Sequence, residues 1–161
     1  MSNAVLVIGQ SGSGKSTSLR NLDPASTFII NVLDKPLPFR GYKKNYASIT
    51  KENKNGNYYC SSNWKNILSC INVINEEMPH ITSLVIDDWQ YILTHEFMHR
   101  VNERGYDKFS DIANHGWSTM GACINTRPSL SAFVLSHSDL DPTGKSKLKT
   151  IGKMLDEKVT L

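Results

Sequence analysis

The residues best equipped for chemistry lie near the amino terminus, in a glycine-rich loop between an apolar run at 4–8 and a helix-compatible segment at 17–20. The loop matches the pattern G-x-x-x-x-G-K-[ST] at every fixed position, in the strand-then-helix context that the pattern requires. Its glycines permit turns in which successive backbone N–H groups point inward at a polyphosphate. A helix beginning near Lys15 would add the positive end of its dipole. The predicted phosphate-binding residues are Gly9, Gln10, Ser11, Gly12, Ser13, Gly14, Lys15, Ser16 and Thr17.

Two polar side chains of this loop have specific expected roles. Lys15 should reach the β- and γ-phosphates, and the Ser16 hydroxyl should ligate Mg²⁺. A chance glycine-rich loop would lack the preceding strand and the following helix. The sequence therefore predicts that the chain binds a nucleoside triphosphate.

An acidic pair supplies the second half of a nucleotide site. Asp87 and Asp88 follow the apolar run at 84–86, and a carboxylate there lies at the carboxyl end of a strand, where the ligand crevice of an open α/β sheet is found. Asp87 is predicted to hold Mg²⁺ through water, because Mg²⁺ takes few carboxylates and keeps several waters. Asp88 could polarise the attacking water or cap a helix beginning at Trp89, a position that aspartate favours. The two roles are compatible.

A fourth apolar run, at 132–135, ends in a polar segment that contains His137. A polar residue at the tip of the strand beside the phosphate loop can touch the γ-phosphate and respond to its presence. His137 is the candidate for this role; the alternative is an ordinary loop histidine. A basic run follows, interpreted either as a nucleic-acid contact or as a solvated face, the usual meaning of a charge run. Its members are Lys145, Lys147, Lys149 and Lys153.

One further motif is interpreted as a coincidence. His95, Glu96 and His99 spell H-E-x-x-H, which on a helix can bind zinc in metalloproteases. Position 105 is glycine, so the extended metzincin pattern fails, and the chain already carries a nucleotide motif. A chance arrangement on the helix that follows the acidic pair is favoured over a zinc site.

Four short apolar runs in the sequence predict the strands that would position these motifs. The runs do not alternate apolar with polar residues, which is typical of strands covered on both faces of a parallel sheet. Helical patterns lie between them, so the sequence predicts an α/β fold with right-handed crossovers. The predicted strands cover 4–8, 28–32, 84–86 and 132–135, and the predicted helices cover 64–78, 89–104 and 117–127.

Two segments interrupt this alternation. The polar segment 41–62 contains Asn55-Gly56 between tyrosine-containing flanks, which predicts a hairpin-like excursion. Its Tyr58 and Tyr59 could stack on bases or simply cover a hairpin face. The segment 139–150 is rich in Asp, Gly, Ser and Lys, and is predicted to be an exposed, mobile loop.

Length and composition limit the possible classes of protein. A chain of 161 residues fits one domain, and a net charge of +3 is too small to indicate nucleic-acid binding without local clusters. The three cysteines form no C-x-x-C pair, which argues against a zinc knuckle or a disulfide framework and favours a cytosolic protein. The sequence contains no signal pattern or membrane-length apolar run, so no membrane partner is expected.

With these motifs in place, the whole chain resembles the phage-encoded RecA-like P-loop ATPases, a group that includes single-strand annealing and recombination ATPases. The resembling stretches are 9–17, 28–32 after Asp23-Pro24, 84–88, 133–137 and the tail 150–158. The resemblance implies one RecA-like P-loop NTPase domain over 1–161, an α/β three-layer sandwich with a mainly parallel sheet. It also implies a strand order in which the phosphate-loop strand lies beside the His137 strand, followed by the Asp87 strand and the Phe28 strand.

The same resemblance implies an activity: Mg²⁺-dependent binding and hydrolysis of ATP in phage DNA recombination or replication on single-stranded DNA, in the cytoplasm of the bacterial host. Lys15, Asp87, Asp88 and His137 would be the catalytic residues. The partners would be further copies of the chain or other phage replication and recombination proteins. Relatives usually continue with another core strand, so truncation at the carboxyl end is one expectation.

Two other functions stay open. One is a nucleotide-dependent binding module that hydrolyses nothing and joins a phage complex. The other is a small-molecule or nucleotide kinase with the same loop, which would need a lid with arginines over the phosphates. The segment 139–150 contains lysines but no arginine, and Arg127 is the nearest arginine.

Overall fold

A six-stranded, mainly parallel sheet forms the centre of the computed structural model, which describes residues 3–150. Five strands are parallel, in the order β1-β5-β4-β2-β3, and β6 pairs antiparallel with the end of β5. The strands are β1 (Ala4–Gly9), β2 (Thr27–Asn31), β3 (Tyr58–Cys60), β4 (Ser83–Asp87), β5 (Ser131–Leu140) and β6 (Ser146–Leu148). The helices are α1 (Lys15–Ser18), α2 (Tyr42–Asn45), α3 (Trp64–Glu77), α4 (Gln90–His99) and α5 (Asp107–Ile124), and a 3-10 turn covers Leu19–Asn21.

The four predicted strands are confirmed, and so is the expected order of the first four strands, β1-β5-β4-β2. The sheet carries an apolar layer on each face. Along β2, Phe28 and Ile30 belong to a larger cluster to which α3, α4 and α5 contribute, whereas Ile29 belongs to a smaller cluster with Leu19 and Tyr46. Because apolar clusters and the segments that contribute to them cover both faces of the sheet, the fold is α/β and is compatible with a three-layer sandwich.

Helix α3 begins and packs as its apolar stripe predicts. The Asn63 side chain accepts a hydrogen bond from the Lys65 N–H at 2.9 Å, which caps the first turn. Ile67, Ile71 and Ile74 are buried along one face. The spacing of three and four residues thus predicts the buried face correctly.

The bounds of α4 and α5 differ from the prediction. α4 ends at His99 rather than near 104, and the segment after it is held by the Lys108 ammonium, which donates to the Glu103 carbonyl at 2.6 Å. α5 begins at Asp107, well before 117. Gly116 lies on α5 where a Cβ would be 2.8 Å from Leu93 Cδ2 on α4. This close approach favours glycine, although glycine has a low helix propensity. The low propensity of Gly116 explains why the sequence pattern predicted a helix only from 117 onward.

Of the hairpin or excursion predicted over 41–62, the structure shows an excursion without a hairpin. Tyr58 to Cys60 form the edge strand β3, which is parallel to β2. Gly56 ends a turn in which its N–H donates to the Asn53 carbonyl at 3.4 Å. A Cβ on Gly56 would lie 2.4 Å from the Ile49 backbone nitrogen, so glycine permits close backbone packing. Tyr58 is buried with its hydroxyl accepting from Asn31 Nδ2 at 2.7 Å, and Tyr59 packs against the larger core cluster. Neither tyrosine is an exposed platform for base stacking.

The loop predicted at 139–150 is instead an antiparallel hairpin of β5 and β6. Asp141 Oδ1 closes its turn by accepting from the backbone N–H groups of Thr143 at 2.8 Å and Lys145 at 2.9 Å. Leu148 is buried, whereas the lysines that alternate with it lie on the other face of the strand. The described members of the basic run are Lys145, Lys147 and Lys149; Lys153 and most of the tail 150–158 lie outside the described residues.

The amino-terminal edge of the sheet is held by Arg127, just before β5. Its guanidinium donates to the carbonyls of Ile74 at 2.8 Å, Asn75 at 2.7 Å and Met78 at 2.9 Å, and also to that of Ile81. These carbonyls belong to the end of α3 and the segment after it, which lack helical partners. None of the helices within residues 3–150 has the length and apolar character needed to cross a membrane.

Candidate functional site

The sheet register brings the predicted site residues to one edge. Gly9 at the end of β1 pairs with His137 on β5, and Asp87 ends β4 beside them. The carboxyl ends of three parallel strands therefore meet around a cleft of about 300 Å³. Its lining is formed by Ser11, Gly12, Ser13, Gly14, Lys15, Ser16, Thr17, Lys35, Pro36, Pro38, Asp88 and His137.

The glycine-rich loop has the backbone that its sequence predicts. Gly12 and Gly14 adopt φ values of 78° and 91°, in the left-handed region that favours glycine. The helix predicted to begin near Lys15 does begin there, and α1 has only four residues before it tightens into the 3-10 turn. A helix this short adds little dipole, so the loop N–H groups carry more of the capacity to bind an anion.

Lys15 is folded back onto its own loop. Its ammonium donates to the carbonyls of Gly9 at 2.7 Å and Gln10 at 2.9 Å. Partial burial lowers the pKa of Lys15, although the nearby Asp88 and Asp87 carboxylates oppose the shift. The ammonium is therefore in the cleft, bonded to carbonyls that an arriving phosphate could replace.

Ser16 and Asp87, 71 residues apart in sequence, meet beneath the loop. The Ser16 hydroxyl donates to Asp87 Oδ1 at 2.9 Å. Asp87 is fully buried, and its Oδ2 has no hydrogen-bond partner among the described residues. Burial, reinforced by the Asp88 charge, raises the pKa of Asp87. A buried carboxylate oxygen without a partner, beside a hydroxyl, is a donor set that suits Mg²⁺, so these two residues would hold the ion.

Asp88 faces the cleft and does not cap α4. Its φ is 63°, its side chain is only 2% exposed, and its carboxylate contacts the Lys35 ammonium and, at 3.4 Å, His137 Nε2. Trp89 occupies the N-cap position of α4, and no side chain there makes a capping hydrogen bond. The predicted capping role is wrong because the carboxylate is bound to these two basic groups instead.

His137 lines the cleft from within β5, opposite Gly9 at the end of β1, and β5 continues beyond it to Leu140. Its backbone N–H donates to Gln90 Oε1 at 3.1 Å, and the same oxygen accepts from the Ser136 hydroxyl at 2.8 Å. Burial lowers the pKa of His137, and the Lys15 charge acts in the same direction. The imidazole is therefore neutral near pH 7, and Gln90 fixes its backbone.

Lys35 is the cleft residue that the sequence interpretation missed. The Asn31 side chain positions it, because Nδ2 donates to the Lys35 carbonyl at 2.7 Å and Oδ1 accepts from the Leu33 N–H at 3.2 Å. A lysine close after the second apolar run, followed by Pro36 and Pro38, was the available signal. β2 is parallel to β4, so the segment after it emerges at the edge where Asp87 lies.

In the H-E-x-x-H motif, Glu96 forms ion pairs and His95 packs edge-on against Tyr91. Glu96 Oε1 lies 3.2 Å from Arg100 Nη1 and 2.7 Å from His115 Nδ1. Across residues 3–150, no group of three or more histidine, cysteine or acidic side chains is arranged to hold a metal ion.

Comparison of the sequence with protein-family models finds no match, and comparison with curated proteins finds none either.

Proposed function

We propose that the chain binds Mg-ATP in the cleft and hydrolyses it, acting in phage DNA recombination or replication on single-stranded DNA. One observation carries the nucleotide part of the proposal: the 2.9 Å hydrogen bond between Ser16 and Asp87. It joins the hydroxyl of a phosphate-binding motif to a buried carboxylate at the end of another strand. Phosphate-binding sites need this pairing to hold a metal ion against the β- and γ-phosphates.

The residues of the cleft have distinct roles in this proposal. The loop N–H groups and Lys15 bind the phosphates, and Ser16 with Asp87 would hold Mg²⁺, which when bound supplies positive charge to the phosphate oxygens. Asp88 is the carboxylate that orients water. His137, neutral and fixed within β5 beside the end of β1, contacts the terminal phosphate. Hydrolysis then depends mainly on positioning and electrostatic stabilisation.

The DNA part of the proposal is supported by the β5–β6 hairpin. Its three described lysines lie at the carboxyl edge of the sheet, the edge that also holds the cleft. Two acidic residues offset part of this positive charge. Asp139 lies opposite Lys147 in the β5–β6 register, and Asp141 lies in the turn. Further copies of the chain or other phage replication and recombination proteins remain the proposed partners.

A direct test combines nucleotide binding with turnover. Calorimetric titration with Mg-ATP should detect binding, and Lys15→Ala should weaken it by about 1.5–3 kcal/mol or more, because the variant cannot make charge-assisted hydrogen bonds to phosphate. Phosphate release should rise when single-stranded DNA is added. Unchanged affinity in the Lys15 variant would exclude this cleft as the nucleotide site.

A nucleotide-dependent binding module without hydrolysis is the second candidate, and one observation favours it. The Asp88 carboxylate is ion-paired with Lys35, which reduces its ability to orient water. Binding without turnover, with or without DNA, would support this candidate. A kinase is disfavoured, since no arginine lines the cleft among the described residues and Arg127 binds carbonyls near the opposite edge.

A further inference from the structure

Lys35 and Asp88 form an ion pair inside the cleft that the phosphate loop also lines. The two side chains differ sharply in exposure, at 43% for Lys35 and 2% for Asp88. An ion pair in such a place could be structural, or it could be exchanged when an anionic ligand arrives. The surroundings of the two partners distinguish these possibilities.

Asp88 is the fixed partner of the pair. Its backbone is in the left-handed region at φ 63°, its carboxylate is buried, and His137 Nε2 lies 3.4 Å from the second oxygen. Aspartate enters this region more readily than most non-glycine residues, so burial and the contact with His137, rather than backbone strain, hold the carboxylate. The carboxylate therefore stays in place when the cleft is filled.

Lys35 is the movable partner. Its backbone is anchored through the Asn31 amide at 2.7 Å, but its side chain is nearly half exposed, on a flexible four-carbon stem. Burial alone would lower the pKa of Lys35, yet the hydrogen bond and charge of Asp88 outweigh it and raise the pKa. Lys35 is thus charged while it is paired with Asp88, and its exposed, flexible side chain can change partner without a change in the fold.

The charge balance of the cleft makes such a change favourable. The carboxylates of Asp87 and Asp88 lie close enough for their charges to interact. Both are negative, so they repel a polyphosphate, and its binding needs positive charge in the cleft. Lys15 supplies one cation from the loop. A terminal phosphate, which carries more charge than a single carboxylate, is a stronger acceptor for a second ammonium.

We propose that Lys35 is the residue with which the cleft distinguishes a nucleoside triphosphate from a diphosphate: its ammonium leaves Asp88 and contacts the terminal phosphate. The inference rests on the proposed nucleotide-binding function. A diphosphate lacks the terminal group and leaves Lys35 paired with Asp88. Triphosphate binding also releases the Asp88 carboxylate from its cation, which links the arrival of the terminal phosphate to the state of the water-orienting group.

The test compares the affinities for ADP and for a non-hydrolysable ATP analogue, both with Mg²⁺, by calorimetric titration. Lys35→Met keeps the aliphatic length and removes the charge. It should weaken analogue binding about tenfold or more and change ADP binding by less than about threefold, where tenfold corresponds to about 1.4 kcal/mol. Lys35→Arg keeps the charge and should retain most of the preference for the triphosphate.

Two controls separate this role from a structural one. Lys51→Met removes an exposed lysine that does not line the cleft and should change neither affinity. Since Lys35→Met leaves Asp88 without its cation and could impair folding, thermal unfolding is measured first. Asp88→Asn and the double variant Lys35→Met with Asp88→Asn remove that problem. The triphosphate preference of the double variant should be about tenfold below that of Asp88→Asn.

The outcomes distinguish this inference from the proposed function. If the wild-type chain binds both nucleotides and the Lys35 variants lose both affinities equally or neither, Lys35 does not read the terminal phosphate, although the nucleotide site stands. If the wild-type chain binds neither nucleotide, the proposed function is wrong and this inference fails with it. Selective loss in Lys35→Met with retention in Lys35→Arg supports it.

Discussion

At the scale of single residues, Asp87 combines a functional position with an unfavourable environment. The folded state raises its pKa, so above both its folded and unfolded pKa values the ionised form destabilises the fold. Asp87→Asn should therefore raise the melting temperature in the absence of nucleotide, by roughly 2–4 °C for each kcal/mol gained. The asparagine oxygen can still accept the Ser16 hydrogen bond. The same variant should lose Mg²⁺-dependent hydrolysis, because the charge that holds the metal is gone.

Thermal unfolding and a turnover assay measure the two effects of Asp87→Asn separately. Glu76→Gln neutralises an exposed carboxylate on α3 and should alter neither by much. A fall in melting temperature would mean that the Asp87 charge stabilises the fold, and full turnover would place the metal elsewhere.

His137 predicts a pH dependence of stability with a defined sign. Burial and the Lys15 charge lower its folded pKa below the ordinary value of 6.5. Below pH 6.5 the unfolded chain takes up a proton that the folded imidazole resists, so the free energy of unfolding should fall as the pH falls from about 7 to about 5.5. Chemical denaturation of the wild type and of His137→Gln at both pH values measures the difference, which should be smaller in the variant.

The exposed His80→Gln serves as the control for this experiment and should keep the wild-type dependence on pH. Identical pH dependence in wild type and His137→Gln would show that His137 titrates alike in both states.

At the scale of elements, the β5–β6 hairpin is the part of the fold in which DNA binding can be tested. Replacing Lys145, Lys147 and Lys149 with alanine should flatten the salt dependence of single-stranded DNA binding, by a slope of about 0.7 for each phosphate that the lysines no longer neutralise. ATP affinity should change much less than DNA binding, because none of the three side chains lines the cleft, although Lys149 is near enough for its charge to act on His137. Fluorescence anisotropy across a salt series measures the slope.

A matched triple variant removes the same charge elsewhere: Lys43, Lys44 and Lys51 are exposed in or near the segment that holds α2. It should leave the slope intact. If the wild-type chain has no affinity for single-stranded DNA at low salt, with or without ATP, the recombination part of the proposed function is wrong.

At the scale of the whole molecule, Arg127 predicts that stability and nucleotide binding can be separated. Arg127→Ala removes charge-assisted hydrogen bonds to the carbonyls of Ile74, Asn75, Met78 and Ile81, and should lower the free energy of unfolding by about 2–4 kcal/mol. The affinity of the folded variant for ADP should match that of the wild type, because the cleft lies at the other edge of the sheet.

Denaturant titration and calorimetry check the two halves of the Arg127 prediction. Arg104→Ala, which removes an exposed arginine outside the cleft, controls for the loss of charge. A weakened ADP affinity in folded Arg127→Ala would mean that the two edges of the sheet are coupled.

The sequence predicted the parts of the molecule in which one local pattern determines one structure. Continuous apolar runs predicted the four buried strands, and motif spacing predicted that the loop and Asp87 would meet. Lys35 was missed although the strand order was expected correctly, because its place in the cleft depends on the hydrogen bonds of the Asn31 side chain. The conformation of Asp88 depends on tertiary contacts as well, with Lys35 and His137. Polar segments carry no periodicity from which such contacts could be read.

Asn31 joins the outer edge of the sheet to the floor of the cleft through a single amide. Its nitrogen donates both to the hydroxyl of Tyr58 on the edge strand and to the carbonyl of Lys35, each at 2.7 Å. A substitution or a docking event that shifts β3 would move the same amide that holds Lys35, without passing through the apolar core. A substitution on the edge strand β3 can therefore alter the cleft even though β3 and the phosphate-loop strand β1 lie at opposite ends of the strand order.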